Sequence, residues 1–113
     1  MRWRRHPDDG MAAMQRRVAA HHNKQFGDKP LTNRALKVAE EAGEVAGAVI
    51  RHVERRDGRD WTPELRSEIG DLLITVIALC DKAGTSLGEV LDASIEHFLG
   101  REWDVQKIDE DGQ

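Results

Sequence analysis

The chain has 113 residues and a mass of 12.7 kDa, which is enough for one domain and too little for two cores of ordinary size. Its formal net charge of −4 argues against a general nucleic-acid binder, which needs a basic face to offset the phosphates. Aromatic residues make up only 4% of the chain and there is no tyrosine, which disfavours a β-sandwich or a β-barrel.

The chain has a single cysteine, Cys80, which excludes an intramolecular disulfide and a zinc site built on several cysteines. Cys80 lies in an apolar run, where we expect it to pack as a small hydrophobic side chain. The basic N-terminus lacks the apolar segment of a secretory signal, and no apolar run approaches the ~20 residues that span a bilayer. We therefore expect a soluble, cytoplasmic protein that binds neither nucleic acid nor membrane.

The spacing of apolar residues predicts an all-α fold in which four helices form a bundle. We expect residues 1–10 to be a flexible tail, residues 11–103 to form one helical domain, and residues 104–113 to be an acidic tail. The predicted helices cover about residues 11–26, 32–56, 62–84 and 86–99. The short connections between them are typical of antiparallel neighbours.

Turn and capping residues set the predicted helix ends. We expect Gly27 to end the first helix and Thr32 to cap the N-terminus of the second. Thr62 is the predicted N-cap of the third helix, because it is followed by Pro63 and proline is favoured at the first helical position. Ser86 begins a capping-box pattern and predicts the start of the fourth helix.

The second and third helices have compositions that predict contact with further helices. The second has small residues on adjacent turns, including Gly43 and Gly47. A glycine costs roughly 1 kcal/mol relative to alanine in a helix interior, so we expect another helix to pack closely there. The third is apolar nearly all round between Leu72 and Cys80, as in a helix that is buried on all sides. We therefore expect a homo-oligomer with the third helix near its centre.

Five acidic residues lie in these two helices. The second helix contains Glu40, Glu41 and Glu44 in the pattern EExxE, and the third contains Glu68 and Asp71 in the pattern ExxD. Residues three or four apart share a helix face, so these like charges repel and would be very costly to bury unpaired. Two such pairs on packed helices form a cluster of hard oxygen ligands, which favours Mg²⁺ or Mn²⁺.

A second interpretation of the acids needs no metal ion. The acids would then be solvated and would pair with Lys37, Arg34 and Arg51, as surface acids ordinarily do. We prefer the metal site, because both acidic pairs lie in helices rich in small or apolar residues. For Lys37, one turn before Glu41, both interpretations stay open: the ammonium either pairs with Glu41 or reaches a phosphate.

The segment EEAGE at 40–44, followed by EIGD at 68–71, resembles the EExxE…ExxD pattern of the MazG-like family of all-α nucleoside triphosphate pyrophosphohydrolases. The resemblance covers roughly residues 11–100. It implies an all-α four-helix bundle that works as a homodimer or a dimer of dimers. It also implies Mg²⁺-dependent hydrolysis of a nucleoside or deoxynucleoside triphosphate to the monophosphate and pyrophosphate, in house-cleaning or control of the nucleotide pool.

The resemblance also implies roles for individual residues. Carried onto this sequence, the metal ligands are Glu41, Glu44, Glu68 and Asp71. Glu40 and Glu41 are the candidate catalytic residues, and Glu40 supports a second ion or accepts the proton of the attacking water. The candidate substrate-binding residues, from their type and position, are Lys37, His21, His22, Lys82 and Arg101.

The chain departs from the family pattern at two places, and two alternatives stay open. Relatives often have a tryptophan for the base where this chain has His21 and His22, which contact a base or are simply solvated. The fourth helix lacks the Lys and Asn that relatives commonly offer to the phosphates or sugar. One alternative is phosphoribosyl-ATP pyrophosphohydrolase of histidine biosynthesis, disfavoured because Leu72 and Leu73 follow Asp71 where tyrosine and histidine are usual. The other is a non-enzymatic acidic helical module that dimerises and regulates a partner.

Overall fold

The computed structural model describes residues 10–55, 58 and 60–100. Four helices follow one another in this part of the chain, which contains no β-strand: α1 (Gly10–Phe26), α2 (Leu31–Arg55), α3 (Thr62–Lys82) and α4 (Leu87–Leu99). The prediction of an all-α fold with four helices is confirmed for these described residues. Among the described helices, none combines the length and hydropathy needed to cross a membrane. The predicted tails lie outside the described residues, except for Gly10, which begins α1.

α2 and α3 form the most extensive helix pair and run antiparallel. Arg51 and Glu64 form an ion pair close to the α2–α3 connection, with 3.4 Å between Nη2 and Oε1. Glu41 meets Glu68 farther from that connection, so the two helices run in opposite directions. α1 packs on α3, and α4 makes smaller contacts with α1 and α3. The acidic motifs of α2 and α3 are thereby brought to facing helices.

The ends of α1 and α4 confirm the predicted signals. Gly27 follows α1 at φ +85°, in the left-handed region that favours glycine, and its backbone N–H donates to the Asn23 carbonyl at 2.7 Å. Ser86 is the N-cap of α4, and its hydroxyl accepts a hydrogen bond from the Glu89 backbone N–H at 3.4 Å. Both signals depend on neighbours in sequence, which is why the sequence alone reveals them.

The predicted caps of α2 and α3 are wrong. α2 already begins at Leu31, so Thr32 lies inside its first turn, and the Pro30 carbonyl accepts the N–H groups that a cap would serve. Thr62 is the first residue of α3 and not its cap. The N-cap is Trp61, whose backbone carbonyl accepts the Leu65 N–H that a cap at Thr62 would have served. The Thr62 backbone N–H itself donates to the Asp60 carboxylate at 3.1 Å.

Small side chains make up most of the core of the described chain. Ala19, Ala48 and Ala78 are buried, and Cys80 is buried as predicted. The expected burial of α3 on all sides is not found within one chain, because Leu73 is 53% exposed. A core built on alanines leaves larger apolar side chains at the surface, where a further packing partner would cover them.

α2 has an uncovered apolar stripe around Gly43. A Cβ atom at Gly43 would have nothing within 4 Å, and one at Gly47 would meet only the flexible guanidinium of Arg51, at 2.9 Å. The expected close packing of a helix against these glycines is therefore absent within the described chain. Leu36 and Ile50 lie on the same face of α2 as Gly43 and are 70% and 55% exposed.

Candidate metal centre and adjoining pockets

Three carboxylates from α2 and α3 meet at one place. One carboxylate oxygen from each of Glu41, Glu68 and Asp71 lies within 4.8 Å of the other two. Glu68 and Asp71 are one helical turn apart on α3, and Glu41 faces them from α2. Glu41 and Glu68 are half-buried, whereas Asp71 is exposed and open to a ligand. We refer to these three residues as the acid cluster.

Crowding of negative charge acts most clearly on Glu68. Desolvation raises the pKa of Glu68 above its ordinary range, and the charges of Glu44, Asp71 and Glu41 raise it further. Glu44 lies outside the acid cluster, but among these neighbours its charge has the largest effect. Glu44 therefore flanks the acid cluster, and a cation bound there would relieve the repulsion.

Lys37 lies beside the acid cluster and is its nearest described positive charge. Its Nζ atom is 3.8 Å from Oε1 of Glu41 and 3.3 Å from Oε1 of Glu40. The same ammonium lies 5.3 Å from the centre of the Phe26 ring, within the range of a cation–π attraction. Glu40 is 60% exposed and stays outside the acid cluster. Lys37 was predicted either to pair with Glu41 or to reach a phosphate, and in the structure it pairs with Glu41.

The metal-free interpretation also pairs Arg34 and Arg51 with the acids of the two motifs, but in the structure these two residues bind other groups. Arg51 pairs with Glu64 and not with an acid of the two motifs. Arg34 is only 2% exposed, and its Nη2 donates to the Asn23 side-chain oxygen and to the Gly27 carbonyl, both at 2.6 Å. Within the described residues, the acid cluster therefore has more negative than positive charge. That imbalance favours the metal interpretation over solvated ion pairs.

One cavity adjoins the acid cluster, and a second cavity shares part of its walls. The acidic pocket, of about 260 Å³, is lined by Glu41, Asp71, Lys37, Thr75, Ile74, Gln25, His22 and Phe26. The apolar pocket, of about 380 Å³, is lined by Met14, Arg17, Val18, His21, His22, Gln25, Phe26 and Ile74. Because α1 supplies most of the apolar pocket and α2 and α3 supply the acids, His22 and Phe26 lie at the boundary between the two.

The adjacent histidines of α1 have different environments. His21 is exposed and lines the apolar pocket, whereas His22 is 5% exposed and lines both pockets. Neither Nδ1 nor Nε2 of His22 has a hydrogen-bond partner among the described residues. Burial lowers the pKa of His22, and the charges of Arg34 and Lys37 lower it further. The alternative of a solvated histidine pair is therefore wrong for His22.

A third cavity involves residues that the sequence reasoning missed. The basic pocket, of about 250 Å³, lies at the α1–α2 connection and is lined by His22, Phe26, Lys29, Asn33, Arg34, Lys37 and Glu40. Phe26 lines all three cavities, yet its position at the end of α1 indicated only helix periodicity. Asn33 precedes Lys37 by one helical turn, and this spacing was a usable signal. The sequence carries no comparable signal for Lys29, because this residue lies in the connection between α1 and α2.

The sequence matches the family model of the MazG nucleotide pyrophosphohydrolase domain over residues 30–105. The chain belongs to this family. The match contains both acidic motifs, and it begins after α1. MazG domains generally depend on a divalent metal ion, which agrees with the chemistry of the acid cluster. No curated protein and no solved structure gives a significant match to the chain.

Two of the predicted substrate-binding residues of this MazG domain are not brought to the acid cluster. Lys82 Nζ lies 2.8 Å from Oδ1 of Asp28, and this hydrogen bond lowers the pKa of Asp28. Lys82 lines none of the three pockets and instead ties the end of α3 to the α1–α2 connection. Arg101 lies outside the described residues. Contact of either residue with a substrate stays a prediction.

Proposed function

We propose that this MazG domain is an enzyme that hydrolyses a nucleoside or deoxynucleoside triphosphate to the monophosphate and pyrophosphate, using a divalent metal ion. The observation that carries the proposal is the meeting of Glu41, Glu68 and Asp71 on facing helices of a chain that belongs to this family. The role that fits such an activity is house-cleaning or control of the nucleotide pool.

The donor set of the acid cluster fits Mg²⁺ or Mn²⁺. These hard cations bind carboxylate oxygens and keep several waters, so three carboxylate groups within 4.8 Å of one another are a sufficient protein contribution. Glu44, whose charge acts on Glu68, is the fourth proposed ligand. When bound, the ion supplies neutralisation of the phosphate charge and a lower pKa for the attacking water.

The chain's own residues position the reactants and accept a proton. The oxygen of water attacks the α-phosphorus, the bond from that phosphorus to the bridging oxygen breaks, and pyrophosphate leaves. Glu40 lies outside the acid cluster and pairs with Lys37, so its proposed role is either to support a second ion or to accept the proton of the water as a base. Glu41 is the proposed catalytic carboxylate beside the reacting phosphate. Lys37 positions both carboxylates, because its Nζ atom lies 3.3 Å from Oε1 of Glu40 and 3.8 Å from Oε1 of Glu41.

The apolar pocket is the proposed site for the base. It adjoins the acidic pocket through His22, Phe26 and Ile74, so a nucleotide whose phosphates lie over the acids places its base there. A neutral imidazole has one donor and one acceptor nitrogen, and both nitrogens of His22 lack partners in the described chain. His22 is therefore suited to hydrogen bonding with the base, and the exposed His21 to stacking on it.

The proposed enzyme works as a homodimer or a dimer of dimers. The exposed stripe of Leu36, Gly43 and Ile50 on α2 supports this, because a second helix can approach closely where no side chain intervenes. Leu73 on α3, also exposed, adds apolar surface that another copy of the chain would cover. Self-association would then satisfy the packing that the compositions of α2 and α3 predict.

The proposed activity is tested by measuring pyrophosphate release from a panel of NTPs, dNTPs and phosphoribosyl-ATP with Mg²⁺ or Mn²⁺. Asp71→Asn removes the charge of one proposed ligand, so we expect kcat/KM to fall by about 100-fold or more. Asp81→Asn is the matched control, because Asp81 is an exposed residue of the same helix outside the acid cluster. This control should retain the activity of the wild type.

Each outcome of the panel distinguishes the candidate functions. Wild-type protein that releases pyrophosphate from no member contradicts the proposed activity on these substrates. Release from phosphoribosyl-ATP alone assigns the chain to histidine biosynthesis instead. A chain that folds and self-associates without releasing pyrophosphate or binding a divalent ion is the non-enzymatic module.

A further inference from the structure

The basic pocket has an excess of positive charge that the acid cluster does not explain. Three basic side chains, Lys29, Arg34 and Lys37, line it together with one acid, Glu40. Lys37 and Glu40 pair with each other at 3.3 Å, so Lys29 and Arg34 are left without a carboxylate partner among the described residues. Uncompensated positive charge in a partly enclosed space favours an anionic ligand.

Arg34 carries the strongest part of this argument, because its charge is almost fully buried. The side chain is 2% exposed, and its recorded acceptors, the Asn23 amide oxygen and the Gly27 carbonyl, are both neutral. Neutral oxygens offset only part of the cost of burying a guanidinium group. A role as a brace for the α1–α2 connection explains these two hydrogen bonds. The carboxylate of Asp28 also acts on Arg34, but it pairs with Lys82, so the buried charge of Arg34 has no carboxylate partner of its own among the described residues. An anion in the basic pocket would compensate it.

His22 gives a second indication, because a neutral imidazole can donate from one nitrogen to a phosphate oxygen while the other nitrogen accepts from the base. Its side chain is 5% exposed, it lines the basic pocket, and neither ring nitrogen has a partner in the described part of the chain. A buried polar group without a partner is costly, so such a group indicates a ligand that supplies the missing hydrogen bond. Asn33, on the first turn of α2, adds a neutral amide donor to the same wall.

We infer that the basic pocket binds the two terminal phosphates of the substrate, the group that leaves as pyrophosphate, with Lys29 and Asn33 as phosphate-binding residues. The inference rests on the proposed function. The basic and acidic pockets share His22, Phe26 and Lys37, so a phosphate chain whose first phosphate lies over the acids extends directly into the basic pocket. A monophosphate leaves the basic pocket empty, and the pocket therefore favours triphosphates.

The experiment is calorimetric titration of the full chain with inorganic pyrophosphate in a metal-free buffer. Without metal the acid cluster repels pyrophosphate, so the binding heat reports on the basic pocket. Lys29→Gln removes one phosphate contact at an exposed position, and we expect it to weaken binding by about tenfold. Lys24→Gln is the matched control, because Lys24 is an exposed lysine of the last turn of α1 that lines none of the three pockets.

The possible outcomes separate this inference from the proposed function. The inference is overturned if the wild type does not bind pyrophosphate, or if Lys29→Gln and Lys24→Gln bind it equally well. Asp71→Asn is expected to keep metal-free pyrophosphate binding while it loses hydrolysis. Pyrophosphate binding that depends on Lys29, in a wild type that hydrolyses no nucleotide, supports the anion pocket and contradicts the proposed function alone.

Discussion

His22 is a buried imidazole with no hydrogen-bond partner in the part of the chain that the structure describes, and its protonation therefore affects folding. Desolvation, together with the charges of Arg34 and Lys37, holds its pKa below the ordinary histidine value. The unfolded chain has no such environment and takes up the proton at the ordinary pKa. Acidification consequently favours the unfolded state, in which His22 is free to become charged.

We predict that the protein loses stability between about pH 7 and about pH 5, and that His22→Gln reduces this loss. The stability contributed by neutral His22 is complete above the ordinary histidine pKa and falls as the pH decreases toward the lowered folded value. Urea unfolding at both pH values measures the free energy of unfolding. His21→Gln is the control, since the neighbouring histidine is exposed. Equal pH dependence of His22→Gln and the wild type would contradict the prediction.

The effect of Glu68 on the pH dependence of stability is opposite to that of His22. Its pKa is raised in the metal-free folded chain, so the folded state binds this proton more tightly than the unfolded state does. Its unfavourable contribution to stability is relieved as the pH falls through the raised pKa toward the ordinary carboxyl value. Comparison of His22→Gln with the wild type isolates the histidine, because Glu68 is present in both.

The α2–α3 pair carries the repulsion within the acid cluster, and a divalent ion would remove it. Glu41 approaches from α2 and Glu68 and Asp71 from α3, so an ion held by all three would join the two helices. An ion that binds the folded chain and not the unfolded chain stabilises folding by mass action. The proposed metal site thus depends on the packing of two helices, and thermal unfolding will test whether an ion binds there.

We predict that millimolar Mg²⁺ raises the Tm of the wild type by a few degrees or more. Glu68→Gln removes one ligand and one repelling charge, so it is expected to raise the metal-free Tm and to reduce the response to Mg²⁺. Glu54→Gln, at an exposed position of α2, should keep the full response. A melting curve of the wild type that Mg²⁺ leaves unchanged would argue against a site formed before the ion binds.

The helices were predictable wherever the signal is local. Gly27 ends α1 through its own backbone preference, and Ser86 caps α4 through a neighbour three residues away. Thr32 and Thr62 failed as caps because both helices begin earlier. The Pro30 and Trp61 carbonyls already accept the N–H groups of Arg34 and Leu65 that the two hydroxyls would have served. Competition between adjacent groups for one donor depends on backbone geometry, which residue type alone does not reveal.

The candidate site was predictable in its acids and not in its surrounding pockets. Spacing indicated a carboxylate cluster between the two motifs, and the family resemblance implied Glu41, Glu44, Glu68 and Asp71 as its ligands. The structure brings all of these except Glu44 within 4.8 Å of one another. The difference between His21 and His22 depends on how α1 packs on its neighbours, which no local pattern records. Arg34 looked like a partner for the acids, and its burial against the α1–α2 connection appears only in the folded chain.

For the whole molecule, the exposed apolar stripe of α2 is the main feature that a single chain leaves uncovered. We predict that light scattering gives a mass at least twice the 12.7 kDa of one chain. Ile50→Asp places a charge in the stripe and is expected to shift the mass toward one chain, since burying an unpaired carboxylate is costly. Ala20→Asp, on the exposed side of α1, should not shift it. A wild type with the mass of one chain would contradict the proposed assembly.

The family match begins at residue 30, after α1, while the proposed base pocket is lined mainly by α1. The proposed hydrolysis and the proposed base recognition therefore fall to different stretches of the chain, and the two pockets meet at His22 and Phe26. Substitutions in α1 can alter which base is accepted without touching a carboxylate of the acid cluster. In such an arrangement, substrate preference can diverge during evolution, or be redesigned by exchange of a single helix, while the reaction itself is inherited intact.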